Sequence, residues 1–264
     1  MKIVHISDLH YPVLGSLTKL FNKIIKAYKN DTAKPLIIIT GDLVDEPSKR
    51  SFAAVRSRLN LLKDENFEIL ICPGNHDYKK FGNVGVGRKR IERLFNANFQ
   101  TFLLKGKNMN GEANNNFYRF PLVHKIENHY FIGLDSMNKV TYLATGKLGD
   151  KQVEKLKKTL VRIREENSDA FITVYIHHKP FEFDWNYRGF DYDSMKLVNN
   201  EEFLKSIKGV DLLLFGHHHR NKQLFPEQDK YGIKTILNGS HSTTGKLEWF
   251  EIDTETNAVT NRFD

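Results

Sequence analysis

Residues 35–47 read PLIIITGDLVDEP. Pro35 opens the run Leu36 to Ile39, whose branched apolar side chains suit a strand buried on both faces. The run stops abruptly on Gly41-Asp42. The same device recurs along the chain. Ile3 to Ile6 leads to Asp8 and His10, and Phe67 to Cys72 leads to Asn75 and His76. Phe171 to Ile176 leads to His177, and Val210 to Phe215 leads to His217 and His219. Each buried-looking strand ends in a short turn that holds polar side chains. Between them lie segments of helical period, with Leu17, Leu20, Phe21, Ile24 and Tyr28 on one face and Phe52, Val55, Leu59 and Leu62 on another. Strand and helix alternate, which points to an α/β fold. In such folds sites gather at the carboxyl ends of strands, so residues far apart in sequence converge there.

Turn and cap residues set the expected boundaries. Ser16 is placed to cap the first helix, Pro47 to begin the second, and Asp150 to cap a third carrying Val153, Leu156, Leu160 and Ile163. A further helix is expected over about Arg88 to Leu104. Phe117 to Ile126 can pair with Tyr130 to Leu134, and later strands are expected at Ile233 to Leu237 and Leu247 to Ile252. The whole of residues 1–264 reads as one domain, with cap-like insertions at about 78–116 and 181–195. The second, FEFDWNYRGFDYDSM, is strongly aromatic and suits either a packed lid or stacking on a base. Within the first, GNVGVGRKR has neither P-loop nor dinucleotide-binding glycine spacing.

Composition narrows the class. The chain has 264 residues, 40% hydrophobic and 27% charged, an ordinary globular balance. The only cysteine is Cys72, so no intramolecular disulfide forms, and a cytoplasmic location is expected. No apolar run suits a signal peptide or a membrane helix, so no membrane partner is expected. The net charge of +8 favours anions in general. Nucleic acid is compatible with that charge, but no binding motif accompanies it.

The polar residues at the strand ends suggest metal chemistry. Asp8 and His10 are two apart on an extended segment, and so share a side. His217 and His219 repeat the spacing. Carboxylate and imidazole together suit Mn, Fe or Zn, and no cysteine is placed as a ligand. Singly, each residue reads equally as a cap or a turn residue; their shared position at strand ends is what sets them apart. His241, in Asn238-Gly239-Ser240-His241, ends another strand near the same place. It either supports the site or serves only the turn.

Taken in order, these segments resemble the calcineurin-like metallophosphoesterases. The motif D-x-H appears as Asp8-Leu9-His10, GD-xx-D as Gly41 to Asp45, and GNHD as Gly74 to Asp77. A strand-ending His is present at His177, and GHxH at Gly216 to His219. Weaker matches are Leu134 to Ser136, and Gly146, Leu148, Gln152 and Leu156. The resemblance implies a four-layer αββα sandwich of two mixed sheets flanked by helices. It implies two divalent ions (Mn, Fe or Zn, with Mn expected to serve in vitro). One is held by Asp8, His10, Asp42 and His219, the other by Asn75, His177, His217 and a bridging Asp42, whose two oxygens serve the two ions. A hydroxide between the ions attacks phosphorus. The resemblance further implies that His76 protonates the leaving oxygen or stabilises its charge, and Asp45 either orients His76 or caps the following helix. Asp77 fixes the turn. His178 and Lys179 are candidate substrate contacts, although His178 can instead exchange roles with His177 or simply pack, and Lys179 can be a surface residue.

Two departures bear on the substrate. Phosphoprotein phosphatases of this family carry Arg after the second Asp of GD-xx-D and Glu after GNH. Here Glu46-Pro47 and Asp77 stand there instead. The pattern resembles the branch of cyclic-nucleotide and glycerophospho-diesterases, so a small phosphodiester is expected. A metal-dependent nuclease, a phosphomonoesterase and a non-catalytic scaffold are the alternatives. Oligomeric state is left open.

Overall fold

The computed structural model describes residues 1–12, 16–78, 88–103, 120–138, 144–181, 195–219, 223–224, 228–239, 241–243 and 247–262. The chain begins with β1 (Lys2–Ile6), α1 (Leu17–Ala27), β2 (Leu36–Thr40), α2 (Lys49–Asp64), β3 (Ile69–Cys72), α3 (Asn75–Tyr78) and α4 (Arg88–Leu103). It continues through β4 (Leu122–Ile126), β5 (His129–Gly133), α5 (Asp150–Glu166), β6 (Phe171–Tyr175), α6 (Asn200–Ser206) and β7 (Leu212–Phe215). It closes with β8 (Gln223–Leu224), α7 (Gln228–Tyr231), β9 (Thr235–Asn238), β10 (Trp249–Asp253) and β11 (Ala258–Arg262).

The strands form two mixed sheets. One has the order β11-β10-β1-β2-β3, the other β4-β5-β6-β7-β9-β8. β1, β2 and β3 run parallel, with β10 antiparallel to β1. β5, β6, β7 and β9 also run parallel, flanked by antiparallel β4 and β8. The parallel strands therefore deliver their carboxyl ends together, one set per sheet.

Alternation along the strands explains the layering. Ile3, Leu36, Ile38 and Leu70 from the first sheet meet Phe131, Tyr175, Leu212 and Leu214 from the second in one buried cluster. The intervening residues of the first sheet, Val4, Ile6, Ile37 and Ile39, turn the other way onto Leu20 and Phe21 of α1, Phe52 and Val55 of α2, and Phe95 and Phe99 of α4. Those of the second sheet, Ile132, Ile172, Val174 and Leu213, pack on Val153, Leu156 and Ile163 of α5 and Phe203 of α6. With both faces covered, the inner strands are continuous apolar runs. The result is the four-layer αββα sandwich.

Capping departs from expectation at three helix starts. Pro47 does not begin α2. The helix starts at Lys49 with Ser48 as its cap, whose side chain accepts from Ser51 N at 3.0 Å in a capping box. Ser48 sits one residue beyond Pro47 and offers the acceptor that a proline lacks. Ser16 does occupy the cap position of α1, but its hydroxyl donates to the Thr243 carbonyl at 2.7 Å instead. Asp150 is the first residue of α5, after Gly149 at the cap, where its charge complements the helix dipole. Of the first expected insertion, residues 88–103 form α4 within the helix layer. The remainder of that insertion past Tyr78, and residues 182–194, lie outside the described residues, and so do the expected caps.

Candidate active site

All seven expected donor residues lie just past the ends of parallel strands. Asp8 and His10 follow β1, Asp42 follows β2, and Asn75 begins α3 after β3. His177 follows β6, and His217 and His219 follow β7. Among the described residues seven non-glycine residues have positive φ, and four of them belong to this set: Asp8 (52°), His10 (43°), Asp42 (50°) and His217 (70°). A left-handed non-glycine conformation costs on the order of 1–3 kcal/mol, and such strain concentrates at functional sites. Here it turns each side chain off its strand and into one place. Two glycines give the turns their room. A Cβ on Gly216 would overlap Ser7 Oγ and Asp8 Oδ2, and one on Gly74 would overlap Asp42 Oδ1.

The side chains converge in two groups that share Asp42. In the first, His219 Nε2 stands 3.1 Å from Asp8 Oδ1 and 3.2 Å from His10 Nε2. His10 Nε2 is 3.6 Å from Asp42 Oδ2. In the second, His177 Nε2 faces Asn75 Oδ1 at 2.9 Å, His217 Nδ1 at 3.1 Å and Asp42 Oδ2 at 3.3 Å. A single proton on His177 Nε2 can point at only one of these three acceptors. Asp42 Oδ2 is buried with no hydrogen-bond partner. Lone pairs crowded together in this way fit a divalent cation. Two nitrogens 3.2 Å apart also suit one ion at about 2.0–2.1 Å from each. The donor set of carboxylate, imidazole and amide oxygen, without thiolate, suits Mn, Fe or Zn.

One expectation changes. The two oxygens of Asp42 do not divide between the two groups. Oδ1 accepts from His76 N at 2.8 Å, so Oδ2 alone faces both.

Electrostatics follow from burial against this crowding. Burial works to raise the Asp42 carboxyl, but the His177, His76 and His10 imidazoles together hold it well below its ordinary value. Burial likewise opposes the shift of Asp8, which His219 nevertheless lowers. Burial alone would lower His177, yet Asp42, Asp8 and the Thr40 carbonyl raise it to about 9. His217 is pushed well down, first by burial and then by its neighbours His178 and His177.

A family model for calcineurin-like phosphoesterases matches residues 1–221. The chain belongs to this family. The family is one of metal-dependent phosphoesterases, and the described residues hold His/Asp groups that could bind a metal ion. No curated protein matches it. Among solved structures, a putative 5'-nucleotidase from Staphylococcus aureus is 16% identical with a TM-score of 0.50, covering 99% of this chain and 52% of its own. The sulfate thiohydrolase SoxB of Thermus thermophilus is 13% identical with a TM-score of 0.55, covering 99% and 56%. A 5'-nucleotidase precursor, also from Thermus thermophilus, is 15% identical with a TM-score of 0.50, covering 100% and 54%. The chain thus spans about half the length of these structures, and at such identities they share its fold.

The remaining predicted residues of this calcineurin-like site lie close by. His76 Nδ1 donates to the Asp45 backbone carbonyl at 2.8 Å, while the Asp45 carboxylate is farther away at 3.5 Å. That carboxylate also stands 3.4 Å from His10 Nδ1. Asp45 is not the cap of α2, since Ser48 is. Asp77 accepts from Leu43 N and Gly74 N, both at 2.9 Å, and so ties two of the turns together. Its carboxyl is raised to about 7, mainly by burial and then by Asp42. His178 is fully buried; it shares a 2.7 Å hydrogen bond with Ser136 Oγ and donates Nε2–H to the Ala144 carbonyl at 3.0 Å. Its ring packs 4.4 Å from that of His217. Lys179 is also buried, at 9% exposure. The weaker motif residues find their use here, because Gln152 clamps Asp135 through both its amide atoms and so fixes the turn bearing Ser136. His241, left open by sequence, stands against both His10 and His219. Burial and those two rings lower it to about 4.

Proposed function

We propose that this calcineurin-like phosphoesterase hydrolyses a small phosphodiester at a pair of divalent cations. The observation that carries the reading is Asp42 Oδ2, buried without a hydrogen bond and standing 3.6 Å from His10 Nε2 and 3.3 Å from His177 Nε2. Asp8, His10, Asp42 and His219 would hold one ion. Asn75, His177, His217 and the same Asp42 would hold the other. Bound there, such a pair supplies a water of lowered pKa and a positive clamp on the phosphoryl oxygens.

The chain's own residues supply the rest. Asp8 and Asp42 bring two negative charges, and neutral imidazole and amide bring none. A positive surplus is left for an anionic ester. A diester carries one negative charge and needs less of that surplus than a monoester dianion, which agrees with Glu46-Pro47 and Asp77 at the positions that differ from phosphoprotein phosphatases. His76 is 36% exposed at the edge of the site. The Asp45 carbonyl accepts from Nδ1, so Nε2 is the nitrogen through which the imidazolium would give its second proton to the departing oxygen and return to the neutral ring. Buried His178 and Ser136 position His217 rather than contact substrate.

The test is a panel of esters presented to Mn²⁺-loaded protein: a chromogenic diester, cyclic nucleotides, a nucleoside 5'-monophosphate and single-stranded DNA. The monophosphate belongs in the panel because two of the similar structures are named 5'-nucleotidases. The diester is expected to turn over fastest. Faster cleavage of the monoester or of DNA would replace the diester assignment. No turnover with Mn, Fe or Zn would end the enzyme reading.

A further inference from the structure

The segment after β9 supplies an imidazole that this mechanism does not use. The His241 ring is stacked beside His10, with planes 5° apart and centroids 5.1 Å apart. It meets His219 edge to face at 5.0 Å. One nitrogen from each of His10, His219 and His241 lies within 4.8 Å of the others. Hydrogen bonds fix the segment in place. Ser242 N donates to the Ser7 carbonyl at 3.0 Å, and Ser242 Oγ accepts from Ser7 N at 3.1 Å. The Thr243 hydroxyl donates to the Leu9 carbonyl at 3.0 Å, and the Thr243 carbonyl accepts from Ser16. Residues 241–243 are therefore tied to the same turn that presents Asp8 and His10.

Two facts indicate what the ring is placed to do. His241 groups with His10 and His219 but not with Asp8 or Asp42, whose own group with His10 and His219 is separate. Stacked rings also aim their lone pairs along separate planes, so His10 and His241 do not converge on one ion. His10, His219 and His241 have the spacing of a metal-holding group, but the nearly parallel planes of His10 and His241 set His241 beside the Asp8, His10, Asp42 and His219 group and outside it. His76 also approaches His10, edge to face at 4.6 Å. His10 is thus in ring contact with His76, His219 and His241.

We propose that His241 is a further catalytic residue, donating an N–H hydrogen bond to a phosphoryl oxygen of the substrate held against His10 and His219. The proposal rests on the phosphoesterase reading above. His241 Nδ1 stands 3.5 Å from Thr243 Oγ1, whose own hydrogen goes to Leu9; the phosphoryl contact uses the neutral tautomer protonated on Nε2 and needs no change of charge. His76 and His241 would then address different oxygens of one phosphoryl group, His76 the departing one and His241 one that stays on phosphorus.

Wild-type protein, His241→Ala and His241→Gln are loaded with Mn²⁺ and desalted, and bound metal is counted by emission spectroscopy. Inorganic phosphate is then titrated calorimetrically into each. All three are expected to hold the same amount of metal. Phosphate should bind about tenfold more weakly to His241→Ala, the loss of one hydrogen bond to a charged group. His241→Gln keeps an N–H donor of similar reach and should stay within about threefold of wild type. Equal phosphate affinity in wild type and His241→Ala would overturn the proposal and leave the phosphoesterase reading standing. Loss of metal from His241→Ala would overturn it by making His241 a ligand. Wild-type protein that takes up no metal would overturn the phosphoesterase reading, and this proposal with it.

Discussion

His76 touches Asp45 through a backbone carbonyl at 2.8 Å and a carboxylate at 3.5 Å, and the difference separates two variants. His76→Ala removes the proposed acid and should lower kcat by about 10²–10⁴-fold with bound metal unchanged. Asp45→Asn leaves the carbonyl contact in place, and its effect on kcat should stay within about tenfold. A larger drop with bound metal unchanged would mean that the carboxylate orients His76, whereas a drop with metal lost would assign it to His10, 3.4 Å away. A second residue-scale prediction concerns His177, whose pKa of about 9 in the metal-free protein exceeds the ordinary 6.5. This proton stabilises the metal-free fold fully below about pH 6.5, and the contribution fades as pH rises through about 9. A cation needs the same Nε2 lone pair, so metal uptake at about pH 7 should release a proton from His177. Titration in weak buffer should show that release, and show it vanish above about pH 10. Release that is unchanged at high pH would assign the proton elsewhere. The donors themselves were legible because each follows an apolar run. The partners of His178 were not: Ser136 lies 42 positions away, and nothing local in either segment signals the pair. A backbone carbonyl such as that of Asp45 carries no sequence signal at all.

At the scale of elements, the inner strands were legible because burial on both faces leaves uninterrupted apolar runs, as in β2, where all five residues are buried. Caps were less legible, since several polar residues near each helix start can serve and tertiary contacts choose among them. Ser16 sits at a cap position but bonds to Thr243, and Ser48 does the capping expected nearer Pro47. Ser48→Ala should therefore destabilise the protein by about 1 kcal/mol, measured by denaturant unfolding. No loss would mean that Ser51 or solvent replaces the cap. The turn after β7 should be far less tolerant. In Gly216→Ala the new Cβ would collide with Ser7 and Asp8, so bound metal should fall along with stability. A stable Gly216→Ala protein with full metal content would show that the Asp8 turn yields more than its packing suggests.

Over the whole molecule, the two sheets contribute to one site from opposite sides. β1, β2 and β3 bring Asp8, His10, Asp42 and Asn75; β6 and β7 bring His177, His217 and His219. A cation held by both sets links the sheets, and so stabilises the folded state by mass action. At a free metal concentration of about 100 times Kd the gain is about 2.7 kcal/mol per site. Adding Mn²⁺ should raise Tm and chelation should lower it, and a Tm indifferent to both would argue that no ion joins the sheets. The sandwich was legible from the family resemblance and from the alternation of strand and helix. Substrate choice was not, because the segments expected to shape the pocket, within 78–116 and 181–195, carry no sequence motif that names a ligand.

The account depends most on Asp42 serving both cation sites. Counting bound metal per chain, in wild type and in Asp42→Asn after Mn²⁺ loading and desalting, tests it directly. The account predicts two ions in the wild type and the loss of both in Asp42→Asn. A single ion in the wild type, or two retained in the variant, would contradict it.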